Sequence, residues 1–298
     1  MAPVPDVSVV VPTRDRPQHL AACLRAMGKL EQSAGGIEVV VADDGGGVDE
    51  DGAQRAAGPA VAVRVIRTGG RGPAAARNAG AAAARAALLA FTDDDCEPDL
   101  AWAKTLLRCH ADAPDALIGG RTVNALSANP YARAAQAITD AALAHHNSGP
   151  AGPRFFPSNN IAMPAARLDE LGGFDDRLPS AGGEDRDLCE RWAERGWPLT
   201  AAPAALVRHS HPLDLRGFLR QQAAYGAGAY HHRRARAARG GERRLEPSLT
   251  SGVFSRASGE AIRERDPGLL ALLGIWQLAN LAGFARAALR GRSRRAAG

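Results

Sequence analysis

The chain has 298 residues, 45% hydrophobic and 23% charged, which is enough apolar content to bury a full core and excludes a disordered or low-complexity chain. Its four cysteines (Cys23, Cys96, Cys109, Cys189) lack metal-ligand pairing and dense spacing, which excludes a cysteine zinc module or a disulfide scaffold and suits a reducing compartment. The net charge of +5 is uneven: His231 to Gly298 carries fourteen arginines, no lysine and five acidic residues, a local excess of +9.

Met1-Ala2-Pro3-Val4-Pro5 has neither the basic nor the apolar region of a secretory leader, so the expected location is cytoplasmic. Val7 to Val11 is a short β-branched run ending at Pro12, the pattern of a buried parallel strand. Arg16 to Leu30 reads as a helix, with Leu20, Cys23, Leu24 and Met27 at helical spacing. Ile37 to Val41 is a second buried strand, closed by Asp43-Asp44-Gly45-Gly46-Gly47. Val61 to Ile66 is a third, followed by Gly69-Gly70-Arg71-Gly72-Pro73 and an alanine-rich helix from Ala74 to Ala87. Leu88 to Thr92 is a fourth strand that runs directly into Asp93-Asp94-Asp95.

This alternation predicts an α/β fold with a mainly parallel, doubly wound sheet, in which ligands bind beyond the carboxyl ends of the strands. Both acidic clusters follow strands, so both belong on that edge. Beyond Leu100, helices are expected over Ala101–His110, Tyr131–His146, Asp185–Gly196 and Leu213–Arg239, with strands near Leu117–Val123 and Ala205–His209. Phe155 to Met163 reads as strand and turn. Pro267 to Ala285 carries no charge and as a helix would be roughly 28 Å long, barely a bilayer's hydrocarbon thickness. It suits a membrane-interface helix, a helix packed on its own domain or a partner, or a transmembrane span.

Several clusters carry chemistry. Asp93-Asp94-Asp95 crowds three carboxylates at a strand end, where a divalent cation would relieve their repulsion; a solvated acidic turn is the alternative. Asp43-Asp44 suits either a turn or acceptance of hydrogen bonds from a base or ribose. Gly70 to Asn78 is glycine-rich but lacks both the dinucleotide spacing and the phosphate-loop lysine. Gly182-Gly183-Glu184-Asp185 opens a helix, where a carboxylate either acts as a general base or merely complements the helix dipole. His209-Ser210-His211 points two imidazoles the same way on an extended segment, as metal ligands or as structural side chains.

In their order, these pieces resemble the family 2 glycosyltransferases of GT-A fold. The carrying residues are Val9-Val10-Val11-Pro12-Thr13-Arg14, Asp43-Asp44-Gly45, Ala76-Arg77-Asn78-Ala79-Gly80, Phe91-Thr92-Asp93-Asp94-Asp95, Gly172-Gly173-Phe174-Asp175, Gly183-Glu184-Asp185 and Val207-Arg208-His209-Ser210-His211. The resemblance implies a GT-A domain over residues 1–230, with its nucleotide-binding half in 1–100 and its acceptor side in 101–230, and an Arg-rich helical extension over 231–298. It implies that Pro12, Thr13, Arg14, Asp43, Asp44 and Arg77 hold the nucleotide of a sugar diphosphate donor, with Asp93 and Asp94. Asp95 would be the foremost ligand of Mn2+ or Mg2+, assisted by Asp93 and by His209 or His211. Asp185 would be the catalytic base, Glu184 would orient a sugar, and Asn159 and Asn160 would lie on the acceptor side. The acceptor would be a hydroxyl of a glycan, a lipid or a small molecule, and transfer would invert the anomeric carbon.

This sequence departs from the family at Gly46, where serine usually follows Asp-Asp-Gly. Gln221-Gln222 and Tyr225-Gly226 lack the Arg-Trp pair of processive synthases. A nucleotidyltransferase would carry a basic glycine-rich loop where Pro12-Thr13-Arg14-Asp15 stands, and a dinucleotide oxidoreductase would carry its glycine fingerprint there. A non-catalytic sugar-nucleotide-binding protein is the remaining alternative. No nucleic-acid partner is expected, because the arginines lack interleaved aromatics, whereas the uncharged helix and the arginines after it suit peripheral membrane contact on the inner face.

Overall fold

The computed structural model describes residues 3–150, 152–178, 182–240 and 251–296. The chain forms two compact units: Met1–Ala125 with Pro153–Asp176 and Leu188–Ser210, and Leu126–Gly152 with Arg177–Asp187 and His211–Gly298. The expected border at residue 230 falls within a helix that passes through it unbroken.

The first unit is built on an eight-stranded sheet of order β3-β2-β1-β4-β7-β6-β8-β5. β1 (Val7–Thr13), β2 (Ile37–Asp43) and β4 (Leu88–Thr92) are buried at every position, as their unbroken apolar runs require. With β3 (Ala62–Arg67) they form the parallel half. The other half is mixed. β7 (Asn160–Pro164) runs antiparallel to β4 and to β6 (Leu117–Asn124), while β8 (Leu199–His209) is parallel to β6 and antiparallel to β5 (Cys96–Pro98). The sheet is therefore mainly parallel only where strand and helix alternate regularly in the sequence.

Helix α1 (Pro17–Met27) starts on a proline and buries Leu20, Cys23, Leu24 and Met27 on one face. The sequence reading passed over α2 (Glu50–Ala57), although Asp49 caps it by accepting the Gly52 N–H at 2.9 Å. Helix α3 (Pro73–Ala83) ends before the expected Ala87. The cause is Glu38, a fully buried carboxylate inside β2. It accepts the Arg85 N–H at 2.6 Å and the Arg85 Nε–H at 2.7 Å, while Ser8 Oγ accepts the Ala86 N–H at 2.9 Å. Those bonds draw residues 85–86 out of the helix. Burial by itself would raise the Glu38 pKa; the bonds from Ser8 and Arg85 outweigh it and leave it below its usual value.

Also in the first unit are α4 (Trp102–Asp112) and α6 (Ala165–Leu171), which ends on a left-handed Gly172. Helix α7 (Glu184–Glu194) begins in the second unit and continues into the first.

The second unit is helical, with α5 (Pro130–Asn147), α8 (Leu215–Ala238), α9 (Ser251–Arg263) and α10 (Pro267–Ala296). Its core joins Ile138, Phe218, Val253, Ala257, Ala261, Leu269, Leu273 and Trp276. Helices α8 and α10 approach closely enough that a Cβ on Gly226 would lie 1.9 Å from the Asn280 carbonyl oxygen. α10 thus packs one face on its own unit, as one of the three sequence readings expected, yet Leu278, Leu281 and Leu289 stay exposed on another.

Candidate functional site

Parallel pairing brings the carboxyl ends of β1, β2 and β4 together: Thr13 stands beside Asp43, and the Asp44 N–H donates to the Thr13 carbonyl at 2.8 Å. Asp43 and Asp44 are both buried, and each organises a loop. Asp43 accepts from the N–H groups of Gly45, Gly46 and Val48 at 2.8–3.0 Å. Asp44 accepts from Thr68 Oγ1 at 2.6 Å and from the N–H groups of Arg71 and Gly72 at 2.8 and 3.0 Å, with Arg14 at 3.7 Å. Those donors outweigh its burial and hold the Asp44 carboxyl below its usual pKa. Beyond this edge lies a cavity of about 460 Å³, walled by Thr13, Arg16, Leu20, Asp43, Val48 and Ala53, within the size range of small-ligand sites.

The three aspartates after β4 have distinct surroundings. Asp93, the most exposed, binds the Arg77 guanidinium at 2.7 Å, and Arg77 lies over the Phe174 ring. Asp94 is fully buried, accepts from Thr13 Oγ1 at 2.6 Å and from Arg16 Nε at 3.2 Å, and forms an ion pair with Arg16. Burial dominates there and raises the Asp94 pKa to about 6, against the Thr13 bond and the Arg16 charge. Asp95 accepts from Arg16 at 2.9 Å through Oδ2 and lies 3.2 Å from His209 Nε2 through Oδ1.

Strand pairing makes this last contact. Cys96 of β5 pairs with His209 of β8, and the Ser210 N–H donates to the Asp95 carbonyl at 2.8 Å. Burial would lower the His209 pKa, but the bond to Asp95 and its charge reverse that and raise it. Within the first unit Asp95 and His209 each offer one ligand atom, 3.2 Å apart; His211 belongs to the second unit. A carboxylate and an imidazole side by side are donors that suit a divalent metal ion, so the residues present fit one.

The remaining predicted residues divide. Asn159 is half-buried, and its Oδ1 accepts from Thr122 at 3.3 Å. Asn160 is fully buried: it accepts from Trp102 Nε1 at 2.9 Å and donates to the carbonyls of Arg121 and Ala205 at 3.0 and 2.9 Å. Through these bonds Asn160 clasps β6, β7 and β8. In the second unit, Gly182 and Gly183 take φ of 103° and 127°, and a Cβ on Gly183 would meet the Gly228 carbonyl oxygen at 3.1 Å. That turn opens α7, where buried Glu184 accepts the Gly182 N–H at 2.7 Å and half-buried Asp185 accepts the Arg186 N–H at 2.8 Å. Arg16 was missed by the sequence reading, although it stands two residues past Arg14.

The family model described as glycosyl transferase family 2 matches residues 8–164, and that of glycosyl transferase family group 2 matches residues 109–288. The pre-mycofactocin glycosyltransferase of Mycobacterium tuberculosis is 34% identical over 230 residues, covering 75% of this chain and 47% of that protein. Validoxylamine A glucosyltransferase of Streptomyces hygroscopicus subsp. jinggangensis is 27% identical over 227 residues, covering 67% and 54%. The chain thus spans about half the length of the curated relatives it matches. Among solved structures, the mannosyltransferase PcManGT of Pyrobaculum calidifontis, in complex with GDP-Man and Mn2+, aligns with a TM-score of 0.64 at 18% identity, covering 93% of this chain and 87% of that one. S. aureus TarS 1-349 aligns at 0.50 and 15%, covering 97% and 91%. At those identities the likeness carries the fold alone, a GT-A type α/β fold with a mixed sheet.

Proposed function

The chain belongs to glycosyl transferase family 2, and on that premise we propose that it moves a sugar from a nucleoside-diphosphate donor to an acceptor hydroxyl with inversion. The observation that carries this reading is the aspartate cluster at the edge where β1, β2 and β4 end, with Asp95 paired to His209. Thr13, Arg14, Asp43 and Asp44 form the nucleotide end of the site, and Arg77 steadies Asp93. A divalent cation held by Asp95 with His209 or His211 would neutralise charge on the departing diphosphate. Imidazole donors favour Mn2+ over Mg2+, which prefers oxygen.

Asp185 takes the proton of the acceptor hydroxyl as its oxygen bonds to the anomeric carbon and the carbon–diphosphate bond breaks. Attack from the face opposite the leaving group inverts that carbon. Glu184 orients the sugar, and Asn159 serves the acceptor side. The acceptor is a glycan, a lipid or a small molecule. Thermal-shift titration with nucleoside diphosphates, with and without Mn2+, tests the donor side. Stabilisation by about 2.7 kcal/mol is expected at a hundredfold excess over Kd, and only with the cation. Stabilisation independent of Mn2+ would refute the metal-dependent reading. Nucleotide binding without donor hydrolysis or transfer would favour the non-catalytic alternative, and release of pyrophosphate from a nucleoside triphosphate would favour a nucleotidyltransferase.

Peripheral membrane contact through α10 belongs to the same proposal. Within Pro267–Gly291 an 18-residue window reaches a mean hydropathy of 1.6, and 22% of that window is buried. Leu278, Leu281 and Leu289 lie exposed beside Arg286 and Arg290, an apolar stripe edged by positive charge that suits an anionic lipid surface. Co-sedimentation with anionic vesicles should capture the protein at low salt, and Leu278→Glu with Leu281→Glu should release it. Equal recovery of both proteins in the supernatant would mean that α10 is only a packing helix.

A further inference from the structure

Arg16 leads into α1, and its guanidinium already engages Asp95, the carboxylate assigned to the cation, together with its neighbour Asp94. Its Nε donates to Asp94 at 3.2 Å, one terminal nitrogen donates to Asp95 at 2.9 Å, and the other pairs with Asp94. The Asp94 and Asp95 side chains are 0% and 4% exposed, whereas that of Arg16 is 38% exposed and borders the cavity beyond β1 and β2. Two buried carboxylates beside a third need a counter-charge, and here one arginine provides it. Asp95 in turn spans two positive or polar neighbours, with Oδ2 on Arg16 and Oδ1 on His209. A divalent ion at Asp95 and His209 would face the guanidinium across a single carboxylate, and like charges so close repel strongly in a partly buried setting.

We propose that Arg16 is a displaceable internal counter-ion that neutralises the cluster when no divalent cation is bound and gives up Asp95 when one arrives. This rests on the reading of Asp95 as a metal ligand and adds a regulation of that site: the cation's affinity is held down by competition with Arg16. Arg16 acts here as a positioning residue, through the carboxylates it holds, and its partly exposed side chain already borders a cavity into which it can turn.

Calorimetric titration of the full chain with Mn2+, without nucleotide, tests the idea. Arg16→Gln is expected to bind Mn2+ about tenfold more tightly than the wild type, about 1.4 kcal/mol. Arg16→Lys keeps the charge and should stay closer to the wild type. A second measurement needs no variant: in the wild type, the Arg16 Nε–H resonance should shift when Mg2+ is added. Equal or weaker Mn2+ binding by Arg16→Gln would overturn the proposal, because it would make Arg16 a support that shapes the ligands. An unmoved Nε–H resonance at saturating Mg2+ would overturn it as well. If the wild type binds Mn2+ and Arg16→Gln binds it no better, only the role of Arg16 falls; if neither binds, the cation reading falls with it.

Discussion

Asp95→Asn is expected to abolish Mn2+-dependent binding of the nucleoside diphosphate and to lower transfer about a thousandfold. That factor corresponds to about 4 kcal/mol, the scale on which a cation's charge acts on a departing diphosphate. The substitution preserves shape, and the Asp95 carbonyl that accepts the Ser210 N–H is untouched. What disappears is the negative charge shared between Arg16 and His209. His209→Ala should weaken the same binding by a smaller factor, since it removes one ligand and leaves the carboxylate. The measurement is calorimetry with and without Mn2+ on wild type and both variants, with transfer rates beside it. If Asp95→Asn binds the nucleotide as tightly as the wild type, and with the same response to Mn2+, then Asp95 is not the ligand.

Much of the first unit was legible because its strands are buried on both faces and so read as unbroken apolar runs. β1, β2 and β4 announced themselves in this way, and the acidic clusters at their ends followed from parallel topology. Contacts made by tertiary pairing were not legible. β5 is three residues long, too short to carry a pattern, yet its pairing with β8 puts His209 beside Asp95. Arg16 looked like the start of a helix and proved to be the partner of two carboxylates. No local feature of the sequence could reveal the three internal hydrogen bonds of Asn160. α9 was missed although Val253, Ala257 and Ala261 recur at helical spacing, because small residues give a weak apolar signal. Glu38, in a run read as buried, is an ion-paired carboxylate whose partner Arg85 lies far along the chain.

Asp185→Asn is expected to lower transfer by about 10² to 10⁴-fold, the range in which a positioned general base acts. Donor binding should survive, because the base acts on the acceptor's proton and its contribution appears only in the transition state. Asparagine retains an oxygen to accept the Arg186 N–H, now 2.8 Å from Asp185, so the start of α7 should keep its local structure. The first turn of a helix also favours the negative charge that a base must carry before it takes the proton. Glu184 makes the contrast: it is buried and already accepts the Gly182 N–H at 2.7 Å, so Glu184→Gln should disturb the turn more than the proton transfer and lower thermal stability as well as rate. Measured together, the donor Kd, the transfer rate and the melting temperature separate the two roles. An Asp185→Asn protein with turnover within tenfold of the wild type would remove Asp185 as the base. A protein that had lost donor affinity together with its rate would mean that Asp185 holds the donor.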